Sequence, residues 1–383
     1  MNSDILILNA GSSSIKLTVF DRALNIRLTG AADAIGGAAH LRVGQEKRVL
    51  AMADHADALH KIFAALARHG ITLDRLSAVG HRVVHGGATL TEPQRITPET
   101  RGEIAACIPL APLHNPHNLA AIDEVARLAP DLPQFASFDT AFHASNPAVA
   151  THYALPPENA ACGIRRYGFH GLSYSALVRN LPDVTGAALP ARVLACHLGN
   201  GASLCAIRAG KSVATTMGYS PLEGLTMGTR CGNIDANAVF RLVEEQGLEA
   251  ARHLLNHGSG LLGLSGHSAD MRALSEAGTD ASQFAIAHFC YWAARHAGSM
   301  IMAMRGCDAV VFTGGIGENA ANIRAEILKK MDWLGVELNA ARNQSGGPRL
   351  STDGSRVAVW VVAADEEREI ARDVIHLMPR ASK

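Results

Sequence analysis

Apolar residues recur along this chain with two different periods. Ile5-Leu6-Ile7-Leu8 is a short continuous run of buried-strand type. Asn9 and the small-residue turn Ala10-Gly11-Ser12-Ser13-Ser14 interrupt it, and Ile15 to Phe20 resumes a strand pattern, so the chain is predicted to open on a hairpin. The same arrangement returns half a chain later. Arg192 to Cys196 is strand-like, His197-Leu198-Gly199-Asn200-Gly201-Ala202-Ser203 follows, and Leu204 to Ile207 forms a second strand, with Asn200-Gly201 suited to a tight turn. Two such units so far apart predict an internal duplication and two similar domains. Between them the period lengthens: Leu59, Ile62, Phe63 and Leu66 mark one helical stripe, and Ile323, Ile327, Met331 and Leu334 another. Val357 to Val362 reads as a buried strand, and Ile370, Val374 and Leu377 mark a last helix starting near Asp365-Glu366. The expected class is mixed α/β. The turn-forming stretch Phe142 to Pro157 breaks both periods and is the best place for a crossing between domains.

Length and charge narrow the choices. A chain of 383 residues is long for one core, and 48% hydrophobic residues supply enough apolar surface to fold throughout. Its 35 basic and 35 acidic side chains balance to a formal net charge of +0, with no basic stripe, which argues against nucleic acid as a partner. The start carries Asp4 and no basic segment, and no uncharged run approaches the ~18 residues of a membrane helix, so a cytoplasmic protein without a membrane partner is expected. The 7 cysteines include no Cys-x-x-Cys pair, and none of the 18 histidines stands in His-Glu-x-x-His, which argues against a disulfide framework and a zinc site.

Familiar catalytic motifs are missing. Gly210-Lys211-Ser212 ends like a phosphate-binding loop, but Cys205 stands where its first glycine is required. No Gly-x-Gly-x-x-Gly follows a predicted strand, and Gly-x-Ser-x-Gly is absent, which removes the dinucleotide-binding and serine-hydrolase readings. What remains is a set of small-residue turns at strand ends. Asn9 to Lys16 offers backbone N–H groups, the hydroxyls of Ser12 and Ser14 and the Lys16 ammonium, a set suited to phosphate oxygens; a solvated Ser-rich turn is the alternative. His197 to Ser203 repeats the theme. Val310-Val311-Phe312-Thr313-Gly314-Gly315-Ile316-Gly317-Glu318-Asn319 places three glycines between a strand and a helix, more than a plain turn needs.

Asn9 to Lys16 and Met227-Gly228-Thr229-Arg230 resemble signatures of the acetokinase family, within the superfamily of acetate and sugar kinases, heat-shock chaperones and actin. The likeness continues through Gly80 to Gly87, Leu113-His114-Asn115-Pro116, Phe138 to His143, Tyr167-Gly168-Phe169-His170-Gly171, His197 to Ser203 and Phe312 to Asn319, in the family's order. The resemblance implies two similar domains of actin-like ATPase (ribonuclease H-like) fold around a nucleotide cleft. The expected bounds are 1–146 with a returning 368–383, and 147–367.

The implied reaction is reversible transfer of the ATP γ-phosphoryl group to acetate, giving acetyl phosphate and ADP. Acetate is ionised near neutral pH, because carboxyl pKa values lie near ~4, so no general base is required. On this resemblance Arg82 and Arg230 are the catalytic arginines, His170 bonds the transferring group, and Asp139 is an essential acid, most simply a magnesium ligand or orienter through water. Val84, Leu113, Phe169 and Pro221 form the methyl pocket. Asn9, Ser12, Ser14, Lys16, Asn200 and Gly201 fall to the phosphate end, Asp270, Met271, Arg272, Gly315, Ile316 and Asn319 to adenosine, and His197, Leu198, Gly199 and Gly317 are implied to bind the nucleotide as well. Mg2+, or Mn2+ in its place, is assigned to Asn9 and Glu366, with Glu367 one residue away, and a homodimer is implied.

Cys231 and Asn233 replace the family's commoner Ser and Asp, Met271 stands where an aromatic is frequent, and Asp365 replaces the usual Asn. Two alternatives stay open: a propionate kinase, and an actin-like or chaperone-like ATPase without small-molecule phosphotransfer. The second has no need of Arg82, Arg230 or a methyl-sized apolar wall.

Overall fold

The computed structural model describes residues 4–379. The chain divides into two units. The first takes the chain as far as Ala141 and again from Asp365 onward, and the second is Phe142–Ala364.

The first unit is built on an eight-stranded sheet. Its strands are β1 (Asp4–Ala10), β2 (Ser14–Phe20), β3 (Ile26–Asp33), β4 (His40–Val43), β5 (Glu46–Val49), β6 (Leu76–Val83), β7 (Gln94–Arg95) and β8 (Gln134–Phe138), in the order β5-β4-β3-β2-β1-β6-β8-β7. The opening hairpin forms as its pattern predicts, with Asn9 opposite Lys16 and the Gly11 N–H donating to the Ser14 carbonyl at 2.8 Å. On one face the helix His55–Arg68 buries Leu59, Ile62 and Leu66 against Leu6, Leu8 and Leu17. Against the sheet also lies the final helix, Glu366–Leu377, which buries Ile370 and Val374. Gly80 on β6 makes room for it: a Cβ there would lie 2.8 Å from a Val374 methyl and 2.9 Å from one of Ile370, so any side chain would push the helix off the sheet.

The second unit repeats the plan. Strands β9 (Arg192–Leu198), β10 (Ala202–Arg208), β11 (Lys211–Thr215), β12 (Ala309–Thr313) and β13 (Ala358–Val361) run in the order β11-β10-β9-β12-β13. β9 is antiparallel to β10 and parallel to β12. In the first unit, β1 is likewise antiparallel to β2 and parallel to β6. The central five strands β3-β2-β1-β6-β8 therefore have the same topology as the five of the second unit, which is the duplication expected from the two hairpin patterns. The helix Gly171–Thr185 closes one face, burying Tyr174, Leu177 and Leu181 with Val193, Ala195 and Val311.

Two details differ from the periodicity. The second hairpin turns through three residues, Gly199 to Gly201, with the Gly199 N–H donating to the Gly201 carbonyl at 3.0 Å. The stripe from Ile323 does not lie on one helix. Ala321–Lys329 ends before Met331 and Leu334, which are buried from the following turn, because a helix period continues to place apolar residues inward wherever the next turn folds back on the same core. No helix among the described residues is long and apolar enough to cross a membrane.

Candidate functional site

In the first unit the candidate residues gather at the carboxyl ends of β1, β6 and β8. Arg82, the penultimate residue of β6, donates from Nε to Asp139 Oδ1 at 3.0 Å and from Nη2 to Oδ2 at 2.6 Å, and from Nη1 to Asn9 Oδ1 at 3.3 Å. The bidentate grip fixes the plane of the guanidinium. Three of its five N–H donors are used in these bonds, leaving two for another acceptor. Asp139 follows β8, is buried, and spends both oxygens on Arg82. Glu366 opens the final helix, with Oε2 4.0 Å from Arg82 Nε. Burial pushes its carboxyl pKa up, Arg82 and Lys16 pull it down, Asp139 pushes it up again, and the net shift is upward. Burial works against the charge of Arg82 as well, but Asp139 and Glu366 outweigh it and hold the guanidinium firmly protonated.

Ser12 and Lys16 are exposed on the opening hairpin and Ser14 is half-buried. Val84 lies two residues beyond Arg82 and is buried, its N–H donating to Asn118 Oδ1 at 3.1 Å. Leu113 is 47% exposed, in the turn before the helix Asn115–Leu128, and makes no closed apolar wall within the first unit.

In the second unit a different cluster forms where β9 and β10 meet. His170 precedes the helix Gly171–Thr185 in the left-handed conformation, φ 57°, a state that costs a residue with a Cβ roughly 1–2 kcal/mol. Its Nδ1 pairs with Ser203 Oγ at 2.9 Å, and its ring stacks on His197 with centroids 4.1 Å apart. The His197 ring is held in turn through Nδ1 by Ser173 Oγ at 2.8 Å. Gly168 admits this arrangement: with φ +82°, a Cβ there would come within 2.6 Å of both His143 and Thr215.

Arg230 ends the turn Met227–Arg230. It donates from Nη1 to the Pro221 carbonyl at 3.0 Å, and among the described residues no carboxylate lies within ion-pair distance of it. Burial lowers its pKa, the opposite of Arg82. A Cβ on Gly201 would sit 3.4 Å from His170 Nε2 and 3.5 Å from Arg230 Nη1, so the two side chains converge on the space above that glycine. Phe169 is buried, and its carbonyl is bonded to His143 Nε2 at 2.9 Å; Pro221 is half-buried.

Beside this cluster is a cavity of about 570 Å³. Gly199, Asn200, Asp270, Met271, Arg272, Gly315, Ile316 and Asn319 line it, so half of the residues expected around the nucleotide share one cavity. Leu198 and Gly317 do not line it: Leu198 is fully buried at the end of β9, and a Cβ on Gly317 would meet Phe312 and the Cys196 carbonyl at 3.6 Å. Asp270 caps the helix Met271–Ala277 by accepting from the Ala273 N–H at 2.8 Å, and Met271 beside it is buried.

The family profile described as the acetokinase family matches residues 4–372. The chain belongs to the acetokinase family. An acetate kinase of Rhodopseudomonas palustris is 44% identical, over 98% of this chain and 99% of its own. Among solved structures, a propionate kinase from Francisella tularensis superposes with a TM-score of 0.93 at 36% identity, covering 98% of this chain and all 100% of the other. An acetate kinase from Porphyromonas gingivalis gives 0.90 at 35%, covering 98% and 99%. The fold is accordingly the two-fold repeated actin-like ATPase type that the resemblance implied.

The donor set of the acetokinase chain fits a small hard cation. Among the described residues no three His, Cys, Asp or Glu side chains cluster as a self-sufficient metal cage. Magnesium asks for less, one or two carboxylates with retained waters and phosphate oxygens. The Glu366 carboxylate, whose negative charge is disfavoured by burial and by Asp139, is where a cation would relieve an unfavourable interaction.

Several further side chains support this site through contacts that local sequence does not show. Asn118, from the helix Asn115–Leu128, fixes the Val84 N–H and donates to the Ala10 carbonyl at 2.8 Å, tying β6 to the opening turn. Glu318 accepts from the Gly314 N–H and from the Ala364 N–H, both at 2.9 Å. The helix Gly314–Asn319 that carries the glycine run is six residues long, and Glu318 caps its first N–H while Gly315 and Ile316 line the cavity. Ser173 and Tyr174 were missed outright, and Ser203 closes a quoted motif without any local sign that its hydroxyl meets a histidine.

Proposed function

We propose that this chain catalyses reversible transfer of the ATP γ-phosphoryl group to acetate, giving acetyl phosphate and ADP by direct in-line displacement. The observation that carries the reading is the convergence of Arg230 Nη1 and His170 Nε2 above Gly201, without a neighbouring carboxylate and adjoining a cavity of about 570 Å³. A buried cation with no counter-anion is stabilised by a bound anion, and two donors aimed at one point suit an oxygen of a transferring phosphoryl group. ATP occupies the cavity, its adenosine against Met271, Gly315 and Ile316 and its phosphates toward Gly199 and Asn200.

Acetate needs no base, so the protein's work is to hold one carboxylate oxygen in line with phosphorus and to stabilise charge. Arg82 presents its two remaining N–H donors with its plane locked by Asp139, which suits a planar carboxylate. In this reading Asp139 is the arginine's anchor rather than a metal ligand. Glu366 and Asn9 are the residues that would hold Mg2+, which would supply neutralisation of phosphate charge, and the Asn9 side chain is already oriented through Arg82. Val84, buried two residues beyond Arg82, is assigned to the acceptor methyl, and its branched side chain favours acetate over longer acids. Phe284, Tyr291 and Met302 recur on the helix Asp280–Met304 as exposed apolar residues, which supports self-association as a homodimer.

A hydroxamate assay for acyl phosphate, with acetate, propionate and butyrate in parallel and with and without magnesium, tests the reading. Acetyl hydroxamate formed only with nucleotide and metal is expected. ATP hydrolysis indifferent to acetate would replace the kinase with a gated ATPase, and a higher kcat/KM for propionate would make it a propionate kinase.

A further inference from the structure

The polar groups behind His170 form a chain whose direction can be worked out. Tyr174 is completely buried on the helix Gly171–Thr185, and its hydroxyl lies 2.6 Å from Ser203 Oγ. Burial holds the phenol protonated, and a buried O–H has to find an acceptor. Among the described residues Ser203 Oγ is the hydrogen-bond partner within reach of that proton, so Tyr174 donates to Ser203. Ser203 is fully buried too and has one proton of its own. Having accepted from Tyr174, it directs that proton to His170 Nδ1 at 2.9 Å. A neutral imidazole that accepts at Nδ1 carries its hydrogen on Nε2. Nε2 is the atom that faces the space above Gly201 beside Arg230 Nη1.

We propose that Tyr174 and Ser203 are positioning residues, a one-way hydrogen-bond relay that locks His170 as the neutral Nε2–H tautomer and presents a donor to the transferring phosphoryl group. This rests on the kinase reading above. The relay explains why the donor needs no charge: Arg230 already supplies the cation, and a proton on Nδ1 in place of Nε2 would turn a lone pair toward an anionic oxygen. It also gives a use to the left-handed backbone at His170, which aims the ring along the relay rather than along the helix.

The test is long-range proton–nitrogen NMR on the full protein labelled with 15N-histidine, at a pH well above the ordinary histidine value of about 6.5. His170→Gln assigns the signal. Wild type is expected to show a pyridine-type Nδ1 and a pyrrole-type Nε2. In Ser203→Ala and Tyr174→Phe the two tautomers should mix, and kcat for acetyl phosphate formation should fall about tenfold in Ser203→Ala, the loss of one hydrogen bond's worth, with the KM values moved by less than about twofold. A wild-type spectrum with the hydrogen on Nδ1 overturns the proposal on its own, whether or not a variant folds. So does an unmixed Nε2–H spectrum in both variants. Failure of the wild type to make acetyl phosphate would instead overturn the kinase reading and leave the tautomer result standing.

Discussion

Gly201→Ala separates the chemistry from the fold. Gly201 is not among the glycines with positive φ, so alanine fits its backbone. The added methyl carbon would lie 3.4 Å from His170 Nε2 and 3.5 Å from Arg230 Nη1, both ordinary contact distances, and no other heavy atom comes nearer than these. Stability should therefore change by no more than about 0.5 kcal/mol in either direction, since contact without overlap and a small gain from a less flexible unfolded chain nearly offset. The phosphoryl oxygen fares differently. To bond both donors it must come within about 3 Å of each, and a methyl group in contact with both occupies that position. Displacing the oxygen forfeits one or two charge-assisted hydrogen bonds at about 1.5–3 kcal/mol each, so kcat should fall by roughly 10²-fold, within a range of ~10 to 10⁴. Coupled detection of acetyl phosphate gives kcat, and differential scanning fluorimetry gives Tm. Turnover within about threefold of wild type, with Tm unchanged, would show that no reacting oxygen passes above Gly201 and would remove the convergence of His170 and Arg230 from the mechanism.

Three other outcomes follow from the same geometry. Arg230→Ala should lower kcat by at least ~10²-fold, the usual loss for a preorganised charge stabiliser, and near-normal turnover in steady-state assays would contradict its assignment. Val84→Ala should improve relative use of propionate by up to the ~1–3 kcal/mol that one methylene is worth in an apolar pocket; an unchanged acetate-to-propionate ratio of kcat/KM would take Val84 out of specificity. Glu366→Gln should raise the Tm of the metal-free protein at neutral pH while abolishing the added stabilisation by magnesium. Here the folded-state pKa is raised, so the folded protein binds the proton more tightly than the unfolded chain, and ionised Glu366 weakens the fold above that pKa and ceases to do so as pH falls through it. A Tm lower in Glu366→Gln than in wild type across pH 6–8 would refute that sign.

The sheet architecture was readable because its strands are continuous apolar runs: Ile5 to Leu8, Arg192 to Cys196 and Val357 to Val362 each fall on an observed strand. Turn chemistry was nearly as legible, and the Asn200-Gly201 pair missed only the length of its loop. What local pattern could not carry was any partner set by tertiary distance. Nothing near Asp139 in the sequence indicates that both its oxygens close on a guanidinium 57 positions earlier. Nothing near Glu318 shows that its carboxylate meets the Ala364 N–H 46 positions later. Leu113 sits in a motif yet is half-exposed within its own unit, because a motif records which residue stands at a place and not what covers it.

The two arginines show where that boundary lies for function. Their motifs present the same side chain twice, and both were expected to act on the same reaction. Their surroundings give them opposite electrostatics: Arg82 is embraced by Asp139, with Glu366 beyond, while Arg230 meets a backbone carbonyl and no acid within ion-pair distance. A guanidinium whose charge is already satisfied is a rigid fork, good for orienting a planar acceptor and weak at attracting one. A guanidinium buried without a counter-anion is the reverse, held in readiness for a negative group and favouring most the state that carries most charge. On the proposed reading, phosphoryl transfer to a carboxylate uses one of each. Making these environments alike, and not only deleting either arginine, would be expected to stop the proposed reaction, because two paired arginines would give less stabilisation to developing charge and two unpaired ones would bind anions without aligning them.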